Sequence, residues 1–342
     1  MPVERSQTYL NTRVAILRSR LLSRQDLEAM IANPSDDVMA GRLNLGEPPS
    51  ELDTATIERA LMHALLADLA VILRPLTDEA RDFFTFWARR FELFNLKALI
   101  RGKLRNLPDG DIERHLQDMP SFTVLEHDKL LRTESVAELL RQIEAGPYSD
   151  IARQARLVFE EKPDTLAVEA AIDQRYYAGL VKRVQRLPNT ELAPTHQLMG
   201  IQVDRINLSW LVRYRFSYQL SPSETYYYLI HHGFYLKRDA LLRLVELDTL
   251  DEVLSSLPAA LQTRLADARH ALDIERRLED MVIEYARGLM AKDAPALTKA
   301  LAYLLLRECE LRRLYAIYQG QRLGIDPELV SAAVGRGTTE LH

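Results

Sequence analysis

The chain has 342 residues, a formal net charge of −5 and a sequence pI of about 6.0. Hydrophobic residues make up 47% of it and charged residues 27%, a balance that excludes an intrinsically disordered chain. A dedicated nucleic-acid binder is disfavoured, because such proteins usually carry an excess of basic residues. The single cysteine, Cys309, excludes an intramolecular disulfide and a cysteine-rich zinc site.

Apolar residues recur with helical periodicity along almost the whole chain. Leucines step by four residues from Leu61 to Leu73, and a similar stripe occupies Leu297–Leu305. The alternation that is typical of β-strands is absent, and prolines such as Pro75 and Pro108 separate the periodic stretches, as helix boundaries require. The pattern predicts an all-α fold.

No stretch of the sequence has the length and polarity of a membrane-spanning helix. The most apolar stretches are Leu61–Leu73, which Asp68 interrupts, and Ala300–Leu306. The first is broken by a charge, and the second is far shorter than the ~20 residues that a span requires. Met1–Ser6 lacks the apolar core of a signal peptide. We expect a protein that does not cross the bilayer but that could rest against a membrane protein.

Similar blocks of sequence recur three times. Ile57–Leu61 resembles Val168–Ile172 and Ile274–Leu278, and the glutamates at their second positions lie 111 and then 106 residues apart. Further blocks precede and follow each copy in the same order. A period near 110 residues is too long for the common solenoids, whose repeats span ~20–50 residues. The spacing therefore predicts an internal triplication.

A second block follows each of these copies at a similar distance. Asn95–Lys103 resembles Asn207–Arg215, whereas the third copy, Glu310–Ala316, keeps the leucines and loses the asparagine. We predict three similar helical domains, at 1–120 with the N-terminal helix, 121–234 and 235–342. Equivalent domains joined end to end favour a funnel-like arrangement with approximate three-fold symmetry.

These blocks resemble the C subunit of bacterial and archaeal V/A-type ATPases, a family that includes the d subunit of the eukaryotic V-type enzyme. Tyr9–Val14 is similar to the family's opening Tyr-x-Asn-x-Arg stretch, and Asn95–Arg101 is similar to its most recognisable segment. The remaining similar positions are Tyr176, Tyr177, the block that begins at Asn207, Glu308, Glu310 and Arg312.

The resemblance implies a non-catalytic rotor subunit built of three all-helical domains in a funnel. It implies that the wide mouth binds the soluble central-stalk subunits and that the narrow end rests on the membrane ring of proteolipid subunits. Torque would pass through the chain and couple ATP chemistry to proton or sodium transport. The resemblance implies no bound nucleotide or cofactor, and a cytoplasmic position at the periphery of the membrane.

Basic residues recur on the equivalent helix of each predicted domain, and we expect them at partner interfaces. Lys97 and Arg101 share a helical face at i and i+4, so they could bind an acidic partner or pair with carboxylates of their own domain such as Glu92. Asn95 and Asn207 are expected to cap or bridge nearby backbone. The candidate partner-binding residues are Lys97, Arg101, Lys103, Arg213, Arg215, Arg312 and Arg313.

The sequence predicts no catalytic or metal site. Glu58, Glu169 and Glu275 recur, but they belong to different predicted domains, so an intradomain ion pair is favoured over a metal site. His231 and His232 point ~100° apart on a helix and have no further ligand at a suitable spacing. The nearest approach to a phosphate-binding loop is the stretch at 335–339, which no helix follows.

An alternative function stays open at this point. The segment 214–234 is rich in aromatic residues and is flanked by Arg213 and Arg215, a composition that can stack nucleic-acid bases, although helix packing is favoured. The alternative to the rotor subunit is therefore a free-standing helical scaffold that binds another protein or nucleic acid.

Overall fold

The computed structural model describes residues 2–32, 36–43, 47–48, 51–117 and 124–334. The regular elements of these ranges are all helices, which confirms the all-α prediction. The predicted domain boundary at 120/121 and the glycine-containing stretch at 335–339 lie outside the described residues. The helices are α1 (Pro2–Arg18), α2 (Arg24–Ala32), α3 (Asp36–Leu43), α4 (Thr54–Leu73), α5 (Asp78–Leu104), α6 (Asp109–Glu113), α7 (His127–Leu131), α8 (Val136–Ile143), α9 (Ser149–Glu161), α10 (Thr165–Val184), α11 (Asn189–Val212), α12 (Pro222–Tyr228), α13 (Arg238–Val245), α14 (Leu250–Ser255), α15 (Ala259–Leu265), α16 (Ala271–Ala291), α17 (Ala296–Arg322) and α18 (Pro327–Val334).

Three pairs of long consecutive helices dominate the chain: α4 with α5, α10 with α11, and α16 with α17. Two of the pairs begin at an aspartate that caps the helix. Asp53 accepts a hydrogen bond from the N–H of Thr56 at 2.7 Å, and Asp164 accepts one from the N–H of Ala167 at 3.2 Å. The short helices lie between the pairs, and the order long, long, short recurs along the sequence.

The second helix of each pair ends in the same way. A residue in the left-handed region follows each helix: Asn106 at φ 52°, Gln219 at φ 54° and Gly324 at φ 62°. The N–H of the next residue bonds back to a carbonyl within the helix, at 3.0 Å after α5, 2.9 Å after α11 and 2.8 Å after α17. After α11 this bond spans six residues rather than five, because a π-helical turn, Arg213–Ser217, lengthens the helix.

The chain divides into two compact units. The first unit holds residues 1–81, 189–195 and 279–342. Its core is formed by α1, α4 and α17, with Ile57, Leu69 and Ile72 of α4 and Leu301 and Leu314 of α17 fully buried. Burial of such side chains is worth about 1.5–3 kcal/mol each, and it is what holds the amphipathic helices together.

The second unit holds residues 82–188 and 196–278. Aromatic side chains join α5 to α10 in its core: the rings of Phe86 and Tyr176 stack with centroids 5.4 Å apart. The Tyr176 hydroxyl donates to the carbonyl of Trp87 at 2.9 Å, so its polar end is satisfied while the ring stays buried. Gly179 allows this close approach, since an added Cβ would lie 2.7 Å from the Phe86 ring.

Candidate interaction surfaces

The basic face of α5 is paired with acidic residues of α10. Lys97 forms an ion pair with Asp173, and Nη1 of Arg101 lies 2.6 Å from Oε1 of Glu169. All four side chains are partly exposed, so solvent screens both pairs and each contributes roughly 0.2–1 kcal/mol. One of the two expected outcomes was pairing of Lys97 and Arg101 with carboxylates of their own predicted domain, such as Glu92, and this is wrong: the paired carboxylates lie on α10, within the following predicted domain.

The recurring glutamates do not make recurring contacts. Glu169 pairs with Arg101, which belongs to the preceding predicted domain, so the expectation of an intradomain ion pair is wrong for this residue. Glu58 accepts a hydrogen bond from the Tyr315 hydroxyl at 2.5 Å. Glu275 is exposed and makes no hydrogen bond or ion pair with any described residue.

Lys103 and Arg215 hold the ends of short helices. Nζ of Lys103 donates to the carbonyls of Leu131 at 2.7 Å and Thr133 at 2.6 Å, where α7 ends. Nε of Arg215 donates to the carbonyl of Val245 at 2.8 Å, where α13 ends, and Nη2 donates to a second carbonyl two residues later at 3.3 Å. A cation at these unpaired carbonyls satisfies them and opposes the negative end of the helix dipole. The two residues therefore have the same structural role.

The cations of α17 are paired with acidic residues of α16. Nη2 of Arg312 lies 2.5 Å from Oε1 of Glu279, and Nη2 of Arg313 lies 3.4 Å from Oδ1 of Asp280. Arg313 is almost fully buried, whereas Arg312 is half exposed. Arg312 also contacts Sγ of the buried Cys309 at 3.1 Å.

Arg213 differs from the other six candidate cations. Its side chain is exposed, and it makes no hydrogen bond or ion pair with any residue that the structure describes. It aligns with Arg101 in the sequence blocks, but the counterpart of Glu169 in that alignment is Glu275, which it does not contact. An intramolecular partner neither establishes nor excludes contact with another protein of a complex, so partner binding by the seven cations stays a prediction.

The expectation that Asn95 and Asn207 bridge backbone is confirmed. Nδ2 of Asn95 donates to the carbonyl of Gln117 at 2.8 Å, and Oδ1 accepts from its N–H at 2.8 Å. Asn207 makes the same two bonds to Ile230, at 2.7 Å and 2.8 Å. The bridged residue lies 22 positions after the first asparagine and 23 after the second. Each amide thus pairs both polar groups of one backbone residue, which leaves neither unsatisfied.

An acidic residue three positions before each asparagine holds the next stretch of backbone. Oε1 of Glu92 accepts from the N–H groups of Val124 at 2.7 Å and Leu125 at 2.8 Å. Asp204 accepts three such bonds, of 2.7 to 3.1 Å. Its donors are the N–H groups of Phe234, Tyr235 and Leu236. Neither backbone role was predicted, although the shared acid-x-x-Asn spacing is visible in the sequence: Glu92 was expected only as a possible ion-pair partner, and Asp204 was not singled out.

In α17 the position that aligns with Asn95 and Asn207 is Glu310, which binds the N-terminal part of the chain. Glu310 accepts a hydrogen bond from the N–H of Leu22, just before α2, and pairs with Arg307. Nε of Arg307 lies 3.2 Å from Oδ2 of Asp68, which also accepts from the Tyr303 hydroxyl at 2.8 Å. The first unit therefore contains a mostly buried polar network in which one arginine lies between two carboxylates.

Two of the carboxyl groups that are buried against backbone N–H groups have a raised pKa. Burial raises the pKa of Asp204 to about 6, and the three N–H donors only partly oppose this shift. Burial also raises the pKa of Glu191, which accepts from the N–H groups of Leu297 and Thr298 at 3.1 Å each. Both groups bind the amino-terminal side of a following segment and are therefore structural.

Aromatic residues within and after the block Asn207–Arg215 form a connected row. The ring of Tyr214 lies 6.1 Å from that of Trp210, 6.1 Å from that of Tyr218 and 5.6 Å from that of Tyr228. The ring of Tyr227 lies 5.7 Å from that of Tyr228. Tyr214 and Tyr228 are buried, whereas Tyr218 and Tyr227 are about half exposed. Helix packing, the favoured expectation, accounts for the buried rings but not for the exposed ones.

The two adjacent histidines lie in a partly buried, aromatic environment. Burial lowers the pKa of both His231 and His232, and the ring of His231 stacks on Tyr226. Among the described residues no group of three His, Cys, Asp or Glu side chains could hold a metal ion. None of the described helices is long and apolar enough to cross a membrane.

Comparison with known proteins identifies the family of this chain. A family model described as the ATP synthase (C/AC39) subunit matches residues 10–332. A similar protein is the A-type ATP synthase C subunit of Methanothermobacter thermautotrophicus, with 26% identity over 92% of this chain and 83% of the relative. The corresponding protein of Desulfurococcus sp. is 24% identical over 96% of this chain and 90% of the relative.

A third relative matches over a shorter part of the chain. The A-type ATP synthase C subunit of Halorubrum lacusprofundi is 26% identical over 81% of this chain and 80% of the relative. The resemblance noted in the sequence blocks is confirmed, and so is the expectation that the chain is not a catalytic subunit. The chain belongs to the ATP synthase (C/AC39) subunit family, whose members are non-catalytic stalk subunits of rotary ATPases.

Proposed function

We propose that this chain is the adaptor that links the central stalk of a rotary ATPase to its membrane ring. In this role it transmits torque for ATP-coupled proton or sodium transport, from a cytoplasmic position at the periphery of the membrane. Its partners are the soluble stalk subunits on one side and the proteolipid ring on the other. The relatives, which are C subunits of A-type ATP synthases, support a place in such a complex.

The adaptor would consist of three similar helical domains, at 1–120, 121–234 and 235–342, arranged as a funnel. Support comes from the recurring order of two long helices and several short ones. The matching backbone bridges of Asn95 and Asn207 and the matching helix caps of Lys103 and Arg215 add to it. These two matched pairs relate the first and second domains, whereas the third is related to them by the order of its helices.

The observation that carries the torque role is the set of buried and partly buried polar bonds that hold the short segments against the long helices. Asn95 and Asn207 each make two such bonds, and Asp204 makes three. A neutral hydrogen bond contributes about 0.5–1.5 kcal/mol and a bond to a charged group about 1.5–3 kcal/mol. Their breakage leaves buried groups unpaired, so the segments resist displacement under load. A rigid body is what a torque-transmitting adaptor requires.

Reconstitution of the complex with and without this chain tests the proposal. Without the chain, we expect the soluble part to hydrolyse ATP while ion uptake into vesicles falls to the background rate. Added purified chain should restore uptake, and a tagged ring should retain the stalk subunits only when the chain is present. Ion pumping at the normal rate in the absence of the chain would overturn the proposal.

A further inference from the structure

We propose that α1 and α2 form a strap that α17 holds closed, and that this strap opens as one body while the rest of the first unit stays folded. The strap comprises residues 2–32, and its latch is the hydrogen bond that the N–H of Leu22 donates to Glu310 of α17. All the contacts of the strap that are described below lie within the first unit, and none of them depends on the proposed function.

A long helix of each predicted domain holds the first helix of another predicted domain. Lys103 of α5 binds carbonyls at the end of α7, which begins the second predicted domain. Arg215, in the π-helical turn after α11, binds carbonyls at the end of α13, which begins the third. In the same order, α17 of the third predicted domain packs against α1, which begins the first. The contact between α17 and α1 therefore has the place that the other two contacts have.

The contact at α1 joins segments that are far apart in the sequence. Lys103 and Arg215 bind carbonyls that lie 28 to 32 residues farther along the chain. Leu22 and Glu310 are separated by 288 residues. The connecting segments before α7 and α13 are thus continuations of the helices that hold them, whereas the strap reaches α17 from another part of the chain.

The aligned side chains of α17 also hold the strap by fewer polar bonds. In α5 the acid and the asparagine three positions later make two bonds each to the backbone before α7. The corresponding residues of α11 make three and two bonds to the backbone before α13. The aligned pair in α17 is Arg307 and Glu310, and of these only Glu310 binds backbone of the strap, at the single N–H of Leu22. Arg307 instead pairs with Glu310 and with Asp68 of α4.

Apolar burial holds α1 along one face only. Leu10, Val14 and Leu17 are spaced by four and three residues, and each is at most 3% exposed. On the opposite side Tyr9 is 42% exposed and Ile16 is 43% exposed, whereas most residues of α17 are buried. A helix with one buried face loses fewer apolar contacts on release than a central helix does, so its local opening costs less free energy.

The latch lies where it can control both helices of the strap. Leu22 is buried in the turn between α1 and α2. Arg18, at the end of α1, donates to the carbonyl of Met290 at 2.9 Å, and Gln321 of α17 donates to the carbonyl of Met30 in α2 at 3.4 Å. Loss of the bond at the turn loosens both helices at once, and release of the strap uncovers the part of α17 against which α1 packs. The strap is therefore a conformational device that can expose an apolar surface.

Native-state hydrogen exchange of the full chain, followed by mass spectrometry, tests the strap. We expect the amides of 10–17 to exchange at least about tenfold faster than those of 300–317 in α17, because the strap opens without them. In Glu310→Ala the exchange of the strap should rise roughly tenfold, since a bond to a charged group is lost, while that of α17 changes less than about twofold. Glu310→Gln should recover most of the protection, because the amide keeps an acceptor for the N–H of Leu22 although it cannot pair with Arg307.

Two further variants separate the latch from a general loss of stability. Arg18→Ala removes a bond from the side of the strap, and it should raise strap exchange by roughly threefold, less than Glu310→Ala, because Arg18 is exposed. Lys299→Ala is the matched control, since it also removes a charge from α17, and the Lys299 side chain makes no hydrogen bond or ion pair with a described residue. It should leave strap exchange within about twofold of the unchanged chain.

Three results would overturn the strap. The first is strap exchange as slow as that of α17 in the unchanged chain. The second is equal acceleration of the strap and α17 in Glu310→Ala, because the strap would then open only with the whole first unit. The third is strap exchange that Glu310→Ala leaves unchanged. If Glu310→Ala does not fold, Arg18→Ala decides by the same criterion, and it must accelerate the strap alone. Hydrogen exchange and reconstitution are separate measurements, so failure of the strap leaves the proposed function untouched.

Discussion

In α5 and in α11 an asparagine near the carboxyl-terminal half of the helix bonds both polar groups of one distant backbone residue. An acid three positions earlier accepts backbone N–H groups farther along, and a cation eight positions later binds the carbonyls at the end of a short helix. The interiors of the two regions therefore match in kind and in spacing. Their surfaces do not match.

The difference lies on the face that the core does not use. In α5 that face carries Lys97 and Arg101, both paired with α10. The aligned positions are Ser209, in α11, and Arg213, in the π-helical turn that follows α11, and the arginine stays exposed. Loss of the hydrogen bonds of a buried amide lowers the free energy of unfolding substantially, whereas loss of an exposed ion pair lowers it only a little. The two regions therefore agree in the contacts whose loss would cost most, and they differ in contacts whose loss would cost little.

The largest expected effect comes from removal of the asparagine bridge. Asn207→Leu leaves the N–H and the carbonyl of Ile230 buried and unpaired, so we expect the free energy of unfolding to fall by roughly 3–5 kcal/mol. Asn95→Leu should cost less, roughly 2–3 kcal/mol, because its bonds to Gln117 are only partly buried. Urea denaturation of the full chain measures both values. Equal small losses, below about 1 kcal/mol, would contradict the structural role of the bridge.

Ser209→Ala supplies the control for Asn207→Leu. Ser209 lies two positions farther along the same helix, and its Oγ has no hydrogen-bond partner within the described residues. Its replacement should therefore change the free energy of unfolding by less than about 0.5 kcal/mol.

The second largest expected effect is a dependence of folding stability on pH that arises from Asp204. The pKa of Asp204 is about 6 in the folded protein and 3.8 for the unperturbed group, so between these values the unfolded chain releases a proton that the folded chain retains. This group therefore lowers stability as pH rises from about 4 to 6, by about 2–3 kcal/mol in total. Asp204→Asn should remove this slope. The difference between the two stability curves from pH 4 to 7.5, measured by urea denaturation, checks it.

A flat difference curve over that range would show that Asp204 is ionised at all these pH values. Glu191, whose pKa is also raised by burial, is unchanged in both proteins and cancels in the comparison. The predicted change of the stability difference with pH is therefore specific to Asp204 and the three N–H groups that it binds.

Periodicity was sufficient to predict the all-α fold, because the leucine stripes of α4 and α17 report directly on which faces are buried. Sequence blocks also located Asn95 and Asn207, and the chemistry of an amide in a helix pointed correctly to backbone bridging. Lys103 and Arg215 were located but assigned to a partner, since their acceptors are carbonyls about 30 residues away. No local pattern shows where such a carbonyl lies.

The contrast between Arg101 and Arg213 was also invisible in the sequence. The two arginines occupy aligned positions, and a carboxylate is available at the aligned position of each following helix, Glu169 and Glu275. Whether the pair forms depends on the distance between two helices, which composition and spacing do not encode. The π-helical turn after α11 escaped prediction for a similar reason, because one inserted residue leaves the hydrophobic pattern almost unchanged.

The smallest expected effect is the coupling energy of a surface ion pair, and it tests the contrast between Arg101 and Arg213 directly. A double-mutant cycle with Arg101→Ala and Glu169→Ala should give a coupling of about 0.5–1 kcal/mol, small because both side chains are partly exposed. The same cycle with Arg213→Ala and Glu275→Ala should give a coupling within error of zero, since the two residues do not interact. A coupling at Arg213 equal to that at Arg101 would show that the arginine is already satisfied within the chain. An absent coupling would leave its charge available to a partner, which is the property that distinguishes the surface of α11 from that of α5.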